Sequence, residues 1–99
     1  MKKFESVIIL KPNLMKDEIK EILEKVEETI QKVAKITNKQ EIGIKKLAYE
    51  IKKCKEGYYV VHQFEIKQEN ENSEDDIASI ERYFRTQEEI IKFIIVKRD

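Results

Sequence analysis

The sequence predicts an α+β fold of the ferredoxin-like two-layer type (βαββαβ), a four-stranded antiparallel sheet with two helices on one face. Three observations predict it. The hydrophobic spacing switches between period 2 and period 3.6 in the order strand, helix, strand, strand, helix, strand. The second and third extended runs are joined by one short turn, so they form an antiparallel hairpin. The other neighbouring strands are joined through helices. Right-handed crossovers of two split βαβ units then put the first and third strands at the centre and the second and fourth at the edges. At 99 residues the chain is too short for two independent cores, so 1–99 is read as a single domain.

Lys3 to Leu10 is rich in β-branched residues and reads as the first strand, with Ser6, Ile8 and Leu10 on one face and Glu5, Val7 and Ile9 on the other. Pro12 and Asn13 end it. From about Met15 to Ala34, Ile19, Ile22, Leu23, Val26, Ile30 and Val33 recur at helical steps. Asn13 is the expected cap, and Asp17, Glu18 and Glu21 suit the positive end of the helix dipole.

A long second strand runs from Ile36 to Lys52, interrupted by Gly43, which marks a bulge or bend. Lys53 to Gly57 reads as the hairpin turn. Tyr58 to Ile66 is the clearest strand, with Val60, His62, Phe64 and Ile66 opposite Tyr59, Val61, Gln63 and Glu65. Gln68 to Asn72 is a polar loop, and Ser73 with Asp76 resembles a capping box. A short helix to about Arg85 turns Ile77, Ile80 and Phe84 inward, and Ile90 to Lys97 is the last strand. The sheet face without helices carries Val7, Ile9, Tyr59 and Val61, an apolar surface that calls for a partner.

Charge narrows the function classes. Twenty basic and twenty acidic residues cancel, and charged and hydrophobic residues each make up 40% of the chain. That balance is neither disordered nor membrane-spanning, and Lys2 and Lys3 followed by Glu5 make a poor signal peptide. Single Cys54 excludes an internal disulfide and a Cys-rich zinc site, so the expectation is a reduced, cytoplasmic protein with no metal and no cofactor. The neutrality is not local: Lys35 to Lys55 holds seven lysines and two acids, and Glu69 to Asp76 holds five acids and no base. A basic segment attracts polyanions even in a neutral chain, because screening confines each charge to its surroundings.

Enzyme chemistry is hard to assemble from these residues. His62 is the only histidine, and its central-strand position predicts a packed ring with a hydrogen-bond partner. Cys54 has no second histidine or cysteine with which to form a nucleophile pair or a metal set. An acyl-phosphate hydrolase of this fold needs an anion-cradling loop with an arginine after the first strand, whereas this chain has Lys11-Pro12-Asn13-Leu14. Gly57-Tyr58-Tyr59 opens like the third-strand signature of an RNA-recognition motif, but Val60 and Gln63 take the later aromatic positions. Backbone contact by lysines is therefore preferred over base stacking.

Phe4-Glu5 with Ile9-Leu10-Lys11-Pro12-Asn13-Leu14, then Gly43-Ile44-Lys45-Lys46-Leu47-Ala48-Tyr49-Glu50-Ile51, Lys55-Glu56-Gly57-Tyr58-Tyr59 and Ile95-Val96-Lys97, resemble in order the bacterial-type small-subunit ribosomal protein six family. The departures are Ile42 where the family often has an aromatic, Glu50 where proline is common, and a polar insertion near 68–72. The resemblance implies a non-catalytic structural constituent of the small ribosomal subunit. It would bind small-subunit ribosomal RNA together with ribosomal protein eighteen, in support of platform assembly and translation. Bacterial and organellar ribosomes stay open.

Lysines neutralise phosphates as point charges without reading sequence. Lys2, Lys3, Lys45, Lys46, Lys53, Lys55 and Lys97 are the expected RNA contacts, on strand ends and turns that can share one rim. Alternation sends Lys45 and Lys46 to opposite faces. Val7, Ile9, Leu47, Tyr49, Tyr59 and Val61 are the expected partner contacts, on the uncovered face and the second-strand edge. The competing reading is a non-ribosomal protein-binding or ligand-sensing module of the same fold, which would oligomerise through the sheet and ignore RNA.

Overall fold

A computed structural model describes residues 2–66 and 73–98. The predicted loop at Gln68–Asn72 and the side chain of the expected cap Ser73 lie outside the described part. The elements follow the predicted order: β1 (Lys2–Leu10), α1 (Lys16–Gln31), β2 (Lys35–Ile51), β3 (Cys54–Ile66), α2 (Ser73–Thr86) and β4 (Ile90–Lys97). The strands lie in the order β2-β3-β1-β4, and all three pairings are antiparallel. Both helices bury their apolar stripes on one face of this sheet. Leu23, Val26 and Ile30 of α1 and Ile80 and Phe84 of α2 join Ile8, Leu10, Val60, Phe64, Ile66 and Ile90 in the main core. This is the ferredoxin-like sandwich.

Boundaries shift where local chemistry competes with periodicity. Helix α1 is capped at Met15, not Asn13: the Met15 N–H donates to the Glu18 carboxylate at 3.0 Å. The helix stops at Gln31, three residues short of the predicted end. There Val33 and Ala34 donate back to the Ile30 carbonyl at 3.1 and 2.9 Å, so Val33 still packs on the core while the chain turns out.

The hairpin turn also moves. Lys52 and Lys53 make it, with φ of 48° and 66°, and Ile51 pairs with Cys54 across it. Residues 54–57, predicted as turn, belong to β3. Two successive left-handed residues twist in the sense of the flanking strands, which favours such two-residue turns over longer ones. The Cys-Lys-Glu-Gly run reads as a turn by composition, but pairing with β2 overrides it.

Gly43 does sit at an irregularity, as predicted: its φ is 98° and the β2–β3 register shifts between Glu41 and Gly43. A larger shift follows. Between the Lys46↔Glu56 and Ile51↔Cys54 pairs, β2 advances five residues while β3 advances two. The excess bends the hairpin end and brings Leu47 and Ile51 against Ile9, Ile91, Tyr59 and Cys54. A second, smaller core thus forms on the helix-free face.

Candidate nucleic-acid interface

The β2–β3 hairpin runs beyond the rest of the sheet. Leu10, the last residue of β1, pairs with Tyr58, so β3 residues 54–57 have no β1 partner. Five lysines cluster on this extension: Lys45 and Lys46 on β2, Lys52 and Lys53 in the turn, and Lys55 on β3. All five are exposed. Lys45 pairs with Gly57 and Lys46 with Glu56, so the two lysines do point to opposite faces. Lys52, which periodicity alone assigns to the end of the second strand, joins the expected lysines here; the dense Lys52-Lys53-Cys54-Lys55 run is the sequence signal for it.

The expected lysines do not share one rim. Lys2 pairs with Ile66 and Lys97 with Phe4, placing Lys2, Lys3 and Lys97 at the far end of the sheet. From Ile66 to Cys54, β3 extends about 40 Å at the usual strand rise, and the longest dimension of the molecule is 41 Å. The expected lysines therefore lie at two opposite ends of an elongated molecule, not along a single edge. At the far end Arg98 joins the group: its N–H donates to the Lys3 carbonyl at 2.7 Å and its guanidinium lies 3.5 Å from Glu5.

The helix-free face lies between the two ends. Val7, Tyr59 and Val61 are half-buried, while Ile94 and Val96 of β4 are nearly half exposed, at 49% and 45%. Ile9 and Leu47 are each only 7% exposed, covered by the bent hairpin. They support this face from beneath more than they present surface. Tyr49 is 63% exposed and is held by Lys92, whose Nζ lies 3.1 Å from the phenol oxygen and 5.3 Å from the ring centroid. Along β3 this face continues with Gln63 and Glu65; the Gln63 amide donates to Glu5 at 3.0 Å. A carboxylate-flanked amide in place of aromatics gives bases little to stack on.

On the covered side, His62 is completely buried, as expected of a packed histidine, and its Nε2 lies 3.0 Å from the Glu27 carboxylate. Lys39, on the edge strand β2, reaches the same carboxylate at 2.8 Å. Burial pushes the Glu27 carboxyl up, but hydrogen bonds from His62 and Lys39 outweigh it and leave the group below its ordinary value. An ionised Glu27 accepts, so His62 carries its proton on Nε2. Burial also lifts the Tyr58 phenol above its ordinary value, with help from the Glu41 carboxylate it donates to at 2.9 Å. Among the described residues no group of three or more His, Cys, Asp and Glu side chains is placed to hold a metal ion, and no helix is long and apolar enough to cross a membrane.

An α+β sandwich with a protruding lysine-rich hairpin and a helix-free apolar face has the build of a small nucleoprotein component. The comparisons make this specific. The profile of the family described as ribosomal protein S6 matches residues 3–97, and the chain belongs to that family. It is 38% identical over its whole length to the small ribosomal subunit protein bS6 of Helicobacter acinonychis, of which it spans 66%. It is 40% identical to that of Phytoplasma australiense, over 98% of this chain and 99% of the relative. The crystal structure of 30S ribosomal protein S6 from Thermotoga maritima superposes with a TM-score of 0.85 at 31% identity, covering 98% of this chain and 87% of the other.

Proposed function

We propose that this chain is a non-catalytic structural constituent of the cytoplasmic small ribosomal subunit. In this reading it binds small-subunit ribosomal RNA together with ribosomal protein eighteen and supports platform assembly and translation. The observation that carries the reading is the family match from residue 3 to residue 97. The geometry supports it. Exposed Lys45, Lys46, Lys53 and Lys55, joined by Lys52, stand on an extension where long flexible cations reach phosphates without steric conflict. Lys2, Lys3 and Lys97 offer a second phosphate contact at the other end. Val7, Tyr59 and Val61, with Tyr49 at the hairpin and Ile9 and Leu47 beneath, form the surface offered to the protein partner.

The test is binding of the full chain to a small-subunit ribosomal RNA fragment, with and without ribosomal protein eighteen, across a salt series. The expected result is affinity that rises with the partner present. It should also fall log-linearly with salt, by ~0.7–0.9 in slope for each phosphate neutralised. Salt-independent affinity, or failure to co-sediment with small ribosomal subunits, would overturn the proposal. Self-association without RNA binding would favour the protein-binding or ligand-sensing module instead.

A further inference from the structure

Four polar side chains, one each from β1, β3, α1 and β2, lie in sequence through the helix-covered half of the molecule. Ser6 and His62 oppose each other across the β1–β3 pairing, and both are completely buried. His62 Nε2 meets Glu27 Oε2 at 3.0 Å, and the same oxygen meets Lys39 Nζ at 2.8 Å. Ser6 Oγ and His62 Nδ1 are buried without a hydrogen-bond partner among the described residues. Directly opposed residues hold their Cβ atoms ~4.5–5.5 Å apart, so these two unpartnered atoms belong to neighbours on the helix-covered face of the sheet.

We infer that Ser6, His62, Glu27 and Lys39 form an acid-sensitive latch that seats α1 on the sheet. With His62 neutral, its Nε2–H donates to Glu27 and ties the middle of α1 to the central strand, while Nδ1 stays unprotonated and buried. With His62 protonated, a cation stands at a fully buried position. The groups facing it are few. Glu27 from α1 and Glu41 from β2 favour the cation, Lys39 from β2 opposes it, and Ser6 from β1 is neutral. The nearest residues on the same face of β3, Val60 and Phe64, are apolar, and α2 contributes Ile80 and Phe84 to the same core.

Burial prevails over the two carboxylates and holds the imidazole below its ordinary value. The sign follows. The unfolded chain takes up the His62 proton at a higher pH than the folded one. Stability present above ~6.5, the free-imidazole value, is therefore lost as pH falls through the folded value. Glu27, also lowered, is lost later in the same direction.

Because His62 is the only histidine, its imidazole signals in an NMR titration of the full chain belong to one residue. The expected result is a midpoint below that of a free imidazole, with nitrogen shifts of the Nε2–H tautomer above it. Hydrogen-exchange protection of α1 should then fall with acid before that of β1 and β3. Urea unfolding of the wild type should lose up to ~10-fold in folding constant per pH unit beyond the loss in His62→Gln, the limit for one linked proton. An ordinary or raised midpoint, the Nδ1–H tautomer, or α1 and the central strands losing protection together would each overturn the latch. The NMR and exchange measurements need no variant, so they decide the matter even if His62→Gln fails to fold.

Discussion

Gly57→Ala tests the bent hairpin most directly. Gly57 is buried on β3, and its φ is not in the left-handed region, so alanine meets no backbone objection. The obstacle is packing. A Cβ at this position would stand 2.2 Å from Ile9 Cγ2, with the Leu10 carbonyl at 3.4 Å and Ile91 Cδ1 at 3.6 Å. Carbon atoms prefer ~3.5–4.0 Å, so Ile9 must retreat by more than an ångström. It has little room, because Leu47 and Ile91 enclose it, and its branched Cβ restricts rotation. Overpacking of this kind costs about 1–3 kcal/mol. At ~4–8 °C per kcal/mol for a domain of this size, a 2 kcal/mol loss lowers Tm by about 8–16 °C. Calorimetry measures the shift.

A cycle with Ile9→Ala identifies the cause. That change removes the clashing methyl, so the double variant should lose at least ~0.5 kcal/mol less than the two single losses together. A Gly57→Ala variant within ~0.5 kcal/mol of wild type, or strict additivity with Ile9→Ala, would refute the account of how the hairpin packs on β1.

Other outcomes are equally concrete. Gly43→Ala meets nothing within 4 Å but inherits a φ of 98°; urea titration should show a loss of about 1 kcal/mol from backbone strain alone. Replacing Lys52-Lys53 with Asn-Gly suits the left-handed turn better and should stabilise the chain by about 1 kcal/mol. The same change removes two cations, so the salt slope of RNA binding should shrink by up to ~1.4–1.8; gain in one assay and loss in the other is the expected signature. Tyr49→Ala removes an exposed ring held by Lys92. It should move Tm by no more than a few degrees, in keeping with a surface substitution of ~0.5 kcal/mol or less, while weakening the partner-dependent part of RNA binding in the same titration.

The local periods carried most of the architecture. Ser6, Ile8 and Leu10 alternate against Val7 and Ile9, and Leu23, Val26 and Ile30 recur at helical steps. Burial enforces both, since a one-residue slip would expose a whole face. His62 as a packed histidine was legible for the same reason, but its partner Glu27 lies 35 residues away on another element. Of the expected lysines only Lys53 lies in the turn, Lys55 having moved into β3 and Lys45 and Lys46 lying within β2; their division between two ends was not legible, because chain neighbours do not specify which strand ends meet.

From its sequence alone, then, the order of elements, the two sheet faces, the Gly43 irregularity and the family resemblance were determined, all of them set by short-range spacing or motif. Tertiary structure alone decided three further matters: the turn at Lys52-Lys53, the folding of Leu47 over Ile9, and the contacts from His62 through Glu27 to Lys39. The reason is physical. These depend on how β2, with its excess residues, registers against β3, and on which buried polar groups oppose one another across strands. Such pairings join residues far apart in the chain, and only the packed sheet brings them together.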